Sequence, residues 1–450
     1  MRIMLAGTKS GAGKTSITCG LIGVFKRLGY EVASLKCGPD YIDPMFHRQV
    51  LKVPSGNIDC FLSNADYCLK QTAFKEKNSD ILIIEGVMGY YDGIGFTSKA
   101  GSSDIAEITS TPVILIVDAE GSAKSVMAVV KGFLDMDTVG LIKGVIFNKM
   151  SENIYLQASK ELEEFGVIGC GYVPKDKKFI LESRHLGLIT PSETAEITNK
   201  LDYISQQLEK TLNIKAIINI LKQSVTINKD FKNKYASINK ICIGVANDDA
   251  FCFIYDDLWD AFDRNGITPV LFSPMKDAYL PDGISGIYLC GGYPENYLKE
   301  LSENISMKED IKKAYDLKMP IIAECGGFMY LHENVEDECG QNYPLVGVVK
   351  GVCKKAKKLQ HFGYGTLKLN KNCFLGTTGE AFPIHSFHYY TSTSSEAHCL
   401  ITKASDGSLW SECSVKDWLY GGFPHFFLQG ENKMLNGFYT ACKKWQEDNK

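Results

Sequence analysis

The sequence lacks the marks of several protein classes. Lys and Arg total 49 against 53 Asp and Glu, a net charge of −4, so bulk charge gives no reason to expect a nucleic-acid partner. No uninterrupted apolar run reaches membrane-spanning length. No basic segment followed by an apolar stretch and a cleavage site opens the chain, which begins directly on the strand-like RIMLAG. None of the 15 cysteines falls in a C-x-x-C pair, which argues against a zinc site or a disulfide framework and for reduced thiols. These absences predict a cytoplasmic protein with neither nucleic acid nor membrane as partner. What remains is ordinary globular composition, 45% hydrophobic and 23% charged, over 450 residues. That length exceeds what one core organises, so two domains are expected.

Short apolar runs alternate with segments of helical period. RIMLAG, EVASLKCG, ILIIEGV, PVILIVD and IKGVIFNKM are rich in Ile and Val and largely nonalternating, as parallel strands covered on both faces are. Ile17, Leu21, Phe25 and Leu28 recur at roughly helical spacing between the first two, which makes a β-α-β unit. The polar stretch 222–240 then interrupts the pattern, and a fresh series follows in ICIGVAN, TPVLF, GIYLCGG and MPIIAE. The expectation is two tandem α/β domains, residues 1–225 and 241–450, joined by a linker at 226–240.

AGTKSGAGKTS follows the first strand and opens the first helix. Backbone N–H groups around Gly11 and Gly13 can surround phosphate oxygens at the helix N-terminus. Lys14 would reach the outer phosphates and the Thr15 hydroxyl would bind Mg²⁺. The strict phosphate-loop motif asks for glycine at position 8, where Thr8 stands. Lys9 to Thr15 matches instead the K-x-G-x-G-K-T variant of another nucleotide-hydrolase branch. An ordinary Gly-rich turn is the alternative, and GKT between strand and helix speaks against it. Mg²⁺ beside a triphosphate takes hard oxygen ligands. Asp40 and Asp43 follow the second strand, Glu85 ends the third, and Asp92 comes shortly after. Carboxylates leaving the C-terminal ends of parallel strands face the crevice where ligands bind.

The second series ends on MPIIAECGGFMYL. A strand, a nucleophile on a tight turn and then a helix is the geometry of a nucleophile elbow. Ala323, Gly326 and Gly327 are the small residues such a turn needs around Cys325, and Glu324 points away into the surrounding structure. A helix N-terminus favours the thiolate. The Gly326 N–H would help to stabilise an oxyanion, with a second donor from Gly291 or Gly292. Cys290, also before a Gly-Gly, reads as structural. A thiol nucleophile needs a base, and among eight histidines His425 in LYGGFPHFFL is favoured over His385 and His388. No acid sits two residues beyond His425 to orient its ring, so a full triad is not visible.

GTKSGAGKTS, KCGPDYIDPMFH, EGVMGYYDG, ESRHLGL, ANDDAFCFIY, LCGGYPE, ECGGFMYL, KKLQHFGY and SFHYY occur in the order found in cobyrinic acid a,c-diamide synthases. The chain resembles that family from its first strand to about residue 435, and GPDYIDP is its most specific motif. The resemblance implies a P-loop synthetase domain similar to dethiobiotin synthetase, then a class I glutamine amidotransferase domain. It implies that Cys325 attacks the glutamine amide with His425 as partner, and that this family tends to lack the usual third acid. It ties Gly11, Gly13, Lys14 and Thr15 to ATP, Asn148 to the adenine, Thr15, Asp40 and Glu85 to Mg²⁺, and Asp43 and Asp92 to turnover. Tyr41, His47, Arg184 and His185 lie in family motifs and are the candidates for contact with the macrocycle. Two departures stand out: Cys37 replaces a small aliphatic residue, and GGFPHFFL, with Pro424 restricting the backbone before His425, is an unusual rendering of the segment around the base.

The chemistry implied is amidation of the a- and c-acetate carboxylates of cobyrinate. ATP converts each carboxylate to an acyl phosphate, and ammonia from L-glutamine displaces the phosphate. ATP and L-glutamine are then co-substrates and Mg²⁺ the cofactor. The same motifs serve hydrogenobyrinate or nickel-sirohydrochlorin equally well. A non-catalytic nucleotide switch with a degenerate amidotransferase half is the reading from a different class, and it predicts no glutamate release. A homodimer is compatible with all of this, and the residues do not specify one.

Overall fold

The computed structural model describes residues 1–179, 181, 191–231, 240–430 and 433–449. The chain divides into two compact units, Met1–Cys60 with Asn64–Phe231, and Phe61–Ser63 with Lys232–Lys450. Among the described residues no cysteine is in a disulfide and no helix is long and apolar enough to cross a membrane.

The first unit is built on seven strands: β1 (Arg2–Gly7), β2 (Val32–Cys37), β3 (Asn57–Ile58), β4 (Ile81–Glu85), β5 (Val113–Asp118), β6 (Ile142–Asn148) and β7 (Ile168–Val173). All pair in parallel, in the order β3-β2-β4-β1-β5-β6-β7. Both faces are covered, which is why the strands read as continuous apolar runs. Ile3 and Leu5 of β1 enter one core with Ile17, Leu21 and Phe25 of the helix Lys14–Arg27, while Met4 and Ala6 enter the core on the opposite face. Leu28 falls outside that helix as its C-cap and is largely exposed, so the helical spacing overran by one residue.

The second unit carries β8 (Ile241–Ala246), β9 (Phe251–Phe253), β10 (Ile267–Phe272), β11 (Ile287–Leu289), β12 (Gly291–Gly292), β13 (Ile321–Glu324), β14 (His332–Glu336) and β15 (Asn342–Pro344). Long β16 (Val349–Leu369) and β17 (Ala381–Ser392) follow, then β18 (Cys399–Lys403), β19 (Leu409–Glu412), β20 (Ser414–Lys416) and β21 (Leu419–Gly422). One sheet runs β10-β8-β11-β13-β21-β20, parallel except for its last pair. A separate sheet, β15-β14-β16-β18-β19 with β17 also on β16, is mostly antiparallel and was not foreseen. Along β17 the side chains of Phe382, Ile384, Ser386, His388 and Tyr390 are buried while Phe387 and Tyr389 are exposed. With aromatics on its outer face, the strand shows no polar-apolar alternation to read.

Candidate active sites

In the first unit the loop after β1 is shaped by its glycines. Gly13 precedes the helix Lys14–Arg27 at φ 98°, a conformation that a side chain resists. A Cβ there would stand 2.3 Å from Asn148 Nδ2. Asn148, at the end of β6, donates to the Ala12 carbonyl at 2.9 Å and accepts from the Lys149 N–H at 2.9 Å. Its amide nitrogen thus braces the phosphate loop, while its oxygen holds the backbone just beyond β6. A cavity of about 550 Å³ opens beside it, lined by Gly11, Gly13, Lys14, Thr15, Asn148 and Lys175 among others.

Behind the loop lies a buried charge cluster. Thr15 Oγ1 donates to Glu85 Oε1 at 2.7 Å and lies 3.5 Å from Asp43 Oδ2. Lys36, the one lysine of β2, bridges the same two acids, 2.5 Å from Asp43 Oδ2 and 2.8 Å from Glu85 Oε1. Burial alone would lower its pKa, but Asp43 and Glu85 hold it well above the usual lysine range. The sequence reading missed Lys36. Its signal was a lysine inside an otherwise small and apolar strand, which must find a carboxylate. Lys14 donates to the Met88 and Lys9 carbonyls. Burial, with Lys36 nearby, pulls its pKa down to about 8 against the opposing pull of Glu85, Asp43 and Asp92.

The other expected residues fall in different places. Asp40 Oδ1 accepts from the Ile42 and Asp43 N–H groups at 2.8 and 3.1 Å, at the start of the helix Ile42–Gln49. Burial and neighbouring Asp43 raise its pKa to about 6. It is therefore Asp43, more than Asp40, that the structure brings to Thr15. Asp92 Oδ2 accepts from the Gly89 N–H at 3.0 Å and closes the turn after β4. His47, expected at the macrocycle, has no exposed surface. Its ring lies 3.1 Å from Ser34 Oγ and 3.5 Å from Glu85 Oε2, and burial pushes its pKa down to about 4. It is an internal group, because the face of its helix that bears it packs onto β2. Tyr41 is 9% exposed; Arg184 and His185 lie outside the described residues.

In the second unit Cys325 stands between β13 and the helix Gly326–Tyr330 with φ 47° and ψ −102°. Such backbone is costly for a residue with a side chain and persists only where the surroundings impose it. Here they do: a Cβ on Gly326 would lie 2.8 Å from Pro294 Cδ and 3.2 Å from the Gly292 nitrogen, and one on Gly327 would lie 2.1 Å from the Leu289 carbonyl oxygen. The elbow is thus pressed against β11 and β12, with the Gly292 amide beside Gly326. The helix has five residues, too few for a strong dipole, so the charged partner of the sulfur must come from elsewhere.

That partner is His425, whose imidazolium is favoured by the Cys325 sulfur. Its backbone is pinned by a two-way bridge with His385, at 2.8 and 3.1 Å, and its ring packs so closely on Gly291 that a Cβ there would meet Cε1 at 2.6 Å. The bridge secures the backbone that Pro424 restricts. Burial works against the imidazolium, but the Cys325 sulfur and the Glu324 carboxylate prevail and push its pKa up to about 10. His385 and His388 fall to about 3 and about 4, mainly through burial, and His388 is stacked on Phe423 at 4.2 Å. Cys290 is buried and its thiol lies 3.4 Å from the Ala246 carbonyl oxygen, as a structural residue would. Glu324 does not point away. It is fully buried, with Oε2 3.5 Å from His425 Nδ1.

Two family descriptions match the chain: a CobQ/CobB/MinD/ParA nucleotide binding domain over residues 3–189, and a CobB/CobQ-like glutamine amidotransferase domain over residues 242–433. The chain is 36% identical to the cobyrinate a,c-diamide synthase of Caldanaerobacter subterraneus subsp. tengcongensis, over 98% of both chains. Against the enzymes of that name from Listeria innocua and Priestia megaterium the identities are 36% and 33%, covering 93% of both chains in the first case and 98% of this chain and 97% of the relative in the second. With a nucleotide-binding α/β half and an amidotransferase half in one chain, this protein is a glutamine-dependent ligase and belongs to the cobyrinate a,c-diamide synthase family.

Proposed function

We propose that this enzyme amidates the a- and c-acetate carboxylates of cobyrinate in the cytoplasm, using ATP and glutamine. The observation that carries the reading is Cys325 on a strained elbow with the buried His425 ring packed on Gly291 and beside Glu324, in the same chain as a phosphate loop backed by Thr15, Glu85, Asp43 and Lys36. In the second unit the thiolate of Cys325 attacks the side-chain amide carbon of glutamine. His425 passes a proton to the departing nitrogen, so ammonia leaves and a glutamyl thioester remains. Water then hydrolyses the thioester to glutamate and regenerates the thiol. The amides of Gly292 and Gly326 face the oxyanion formed in each step.

In the first unit a carboxylate oxygen of the macrocycle attacks the γ-phosphorus of ATP, giving ADP and an acyl phosphate. Ammonia then attacks the acyl carbon and inorganic phosphate leaves. Hydroxide could not leave so easily, which is why the carboxylate must first be activated. The loop amides and Lys14 hold the phosphates, and Lys36 offers a fixed positive charge beside them. The donor set fits Mg²⁺: the Thr15 hydroxyl and the oxygens of Glu85 and Asp43 share one small volume, and all are hard ligands. When bound, the ion neutralises charge on the β- and γ-phosphate oxygens.

The test is the purified enzyme with Mg-ATP, glutamine and, in separate reactions, cobyrinate, hydrogenobyrinate and nickel-sirohydrochlorin, with product mass as readout. Double amidation of cobyrinate, lost in Cys325→Ala and restored by ammonium salt, is the expected outcome. Selective amidation of another macrocycle would move the substrate and keep the chemistry. Amidation of none, with no glutamate released, would leave the nucleotide-switch reading.

A further inference from the structure

The sequence offers no acid two residues past His425, where one would orient the ring, since Phe427 stands there. Yet an imidazole that takes and returns a proton works best when its second nitrogen is held by an anion. The structure contains a carboxylate in that place from an unexpected source. Because Cys325 takes φ 47°, the chain turns so sharply that the side chains of two consecutive residues reach one ring. The Cys325 sulfur favours the imidazolium, and Glu324 Oε2 lies 3.5 Å from Nδ1.

Glu324 is itself fixed. The Tyr288 hydroxyl on β11 donates to Oε2 at 3.2 Å and the Phe426 N–H to Oε1 at 3.2 Å. The carboxylate thus stands beside the ring of His425 and accepts from the backbone one residue beyond it. A fully buried carboxylate is costly without such partners. Four neighbouring titratable groups among the described residues carry no competing charge. His385 and His388 are neutral at physiological pH, and burial drives the Tyr288 hydroxyl and the Cys290 thiol well above their usual ranges. Glu324 and the Cys325 sulfur both favour the imidazolium of His425.

We propose that Glu324, the residue immediately before the nucleophile, is the positioning residue for His425: it fixes the tautomer and orientation of the ring and stabilises the imidazolium during thioester formation and hydrolysis. The 3.5 Å separation is of the kind that tightens when substrate closes a site. The proposal rests on the reading of Cys325 and His425 as nucleophile and base.

Steady-state glutaminase kinetics and the pH dependence of Cys325 alkylation by iodoacetamide, in the full-length enzyme, test it. Glu324→Gln should lower kcat on the order of 100-fold or more, with KM for glutamine little changed. It should also move the alkylation midpoint to higher pH, because the imidazolium that favours the thiolate has lost its anion. Glu324→Asp should recover part of kcat. Tyr288→Phe, which leaves the carboxylate but removes its hydroxyl, should shift both readouts in the same direction by a smaller factor. It decides the matter if Glu324→Gln does not fold. An unchanged alkylation profile in a folded Glu324 variant, or in Tyr288→Phe when no Glu324 variant folds, would overturn the proposal. Cys325→Ala separates the two levels: glutamate release that survives it defeats the underlying reading, whereas release that depends on Cys325 but ignores Glu324 defeats only this inference.

Discussion

Lys36 and His425 show what single side chains do when burial and charge compete. Lys36 stays charged inside the protein because two carboxylates face it. Lys36→Met would leave Asp43 and Glu85 buried together without their cation, a loss of about 3–5 kcal/mol. Denaturant unfolding should show it as an earlier transition, and an unmoved transition would mean that the cluster is solvated. His425 has the opposite sign from most buried histidines. Its folded pKa of about 10 lies above the ordinary value of about 6.5, so its contribution to stability is complete below about pH 6.5 and is lost as pH rises through about 10. The thermal midpoint of the wild type should therefore fall between those limits more steeply than that of His425→Asn. Parallel curves for the two would contradict the assignment.

At the scale of elements, both sites are made by the junction of a parallel strand with the helix that follows it. The phosphate loop needs Gly13 for two independent reasons, its φ of 98° and the 2.3 Å approach to Asn148. Gly13→Ala should abolish ATP-dependent amidation with either glutamine or ammonia as nitrogen source, while glutamate release continues. The nucleophile elbow needs Gly327 because the backbone of β11 lies against it. Gly327→Ala would push the turn away from Leu289 and displace Cys325 from His425. Glutaminase activity should fall by at least about 100-fold, in line with the cost of a 1 Å misplacement, whereas ammonia-supported amidation persists. If both variants lost both activities, the two junctions would not be acting separately.

For the molecule as a whole, the proposed chemistry divides between the halves: one would activate a carboxylate and the other release nitrogen. Thr15→Val, which keeps the shape and removes the hydroxyl facing Glu85, should eliminate amidation from both nitrogen sources and leave glutamate release intact. With Cys325→Ala, amidation should proceed only with added ammonium salt, and better as pH rises toward the ammonium pKa and NH₃ becomes plentiful. Measuring glutamate and amide in the same reaction checks both expectations.

How much of this could be read from the sequence differs from one feature to the next. The parallel strands of both halves and the tight turns that follow β1 and β13 were legible, because apolar runs, Gly-Lys-Thr after a strand and Cys-Gly-Gly after a strand each encode a local geometry. The antiparallel sheet was not: exposed Phe387 and Tyr389 hide the alternation of β17, and its pairing with β16 depends on residues far apart in the chain. Three features were decided only by tertiary structure. Lys36 became a partner of Asp43 and Glu85 because β2 and β4 are neighbours. His47 became an internal group because its helix face packs on β2. Glu324 came to His425 because the elbow turns back toward the strand beside it. Local sequence determines which backbone shapes are cheap. Which charges meet across those shapes depends on the packing of distant elements, and only the folded chain holds that information.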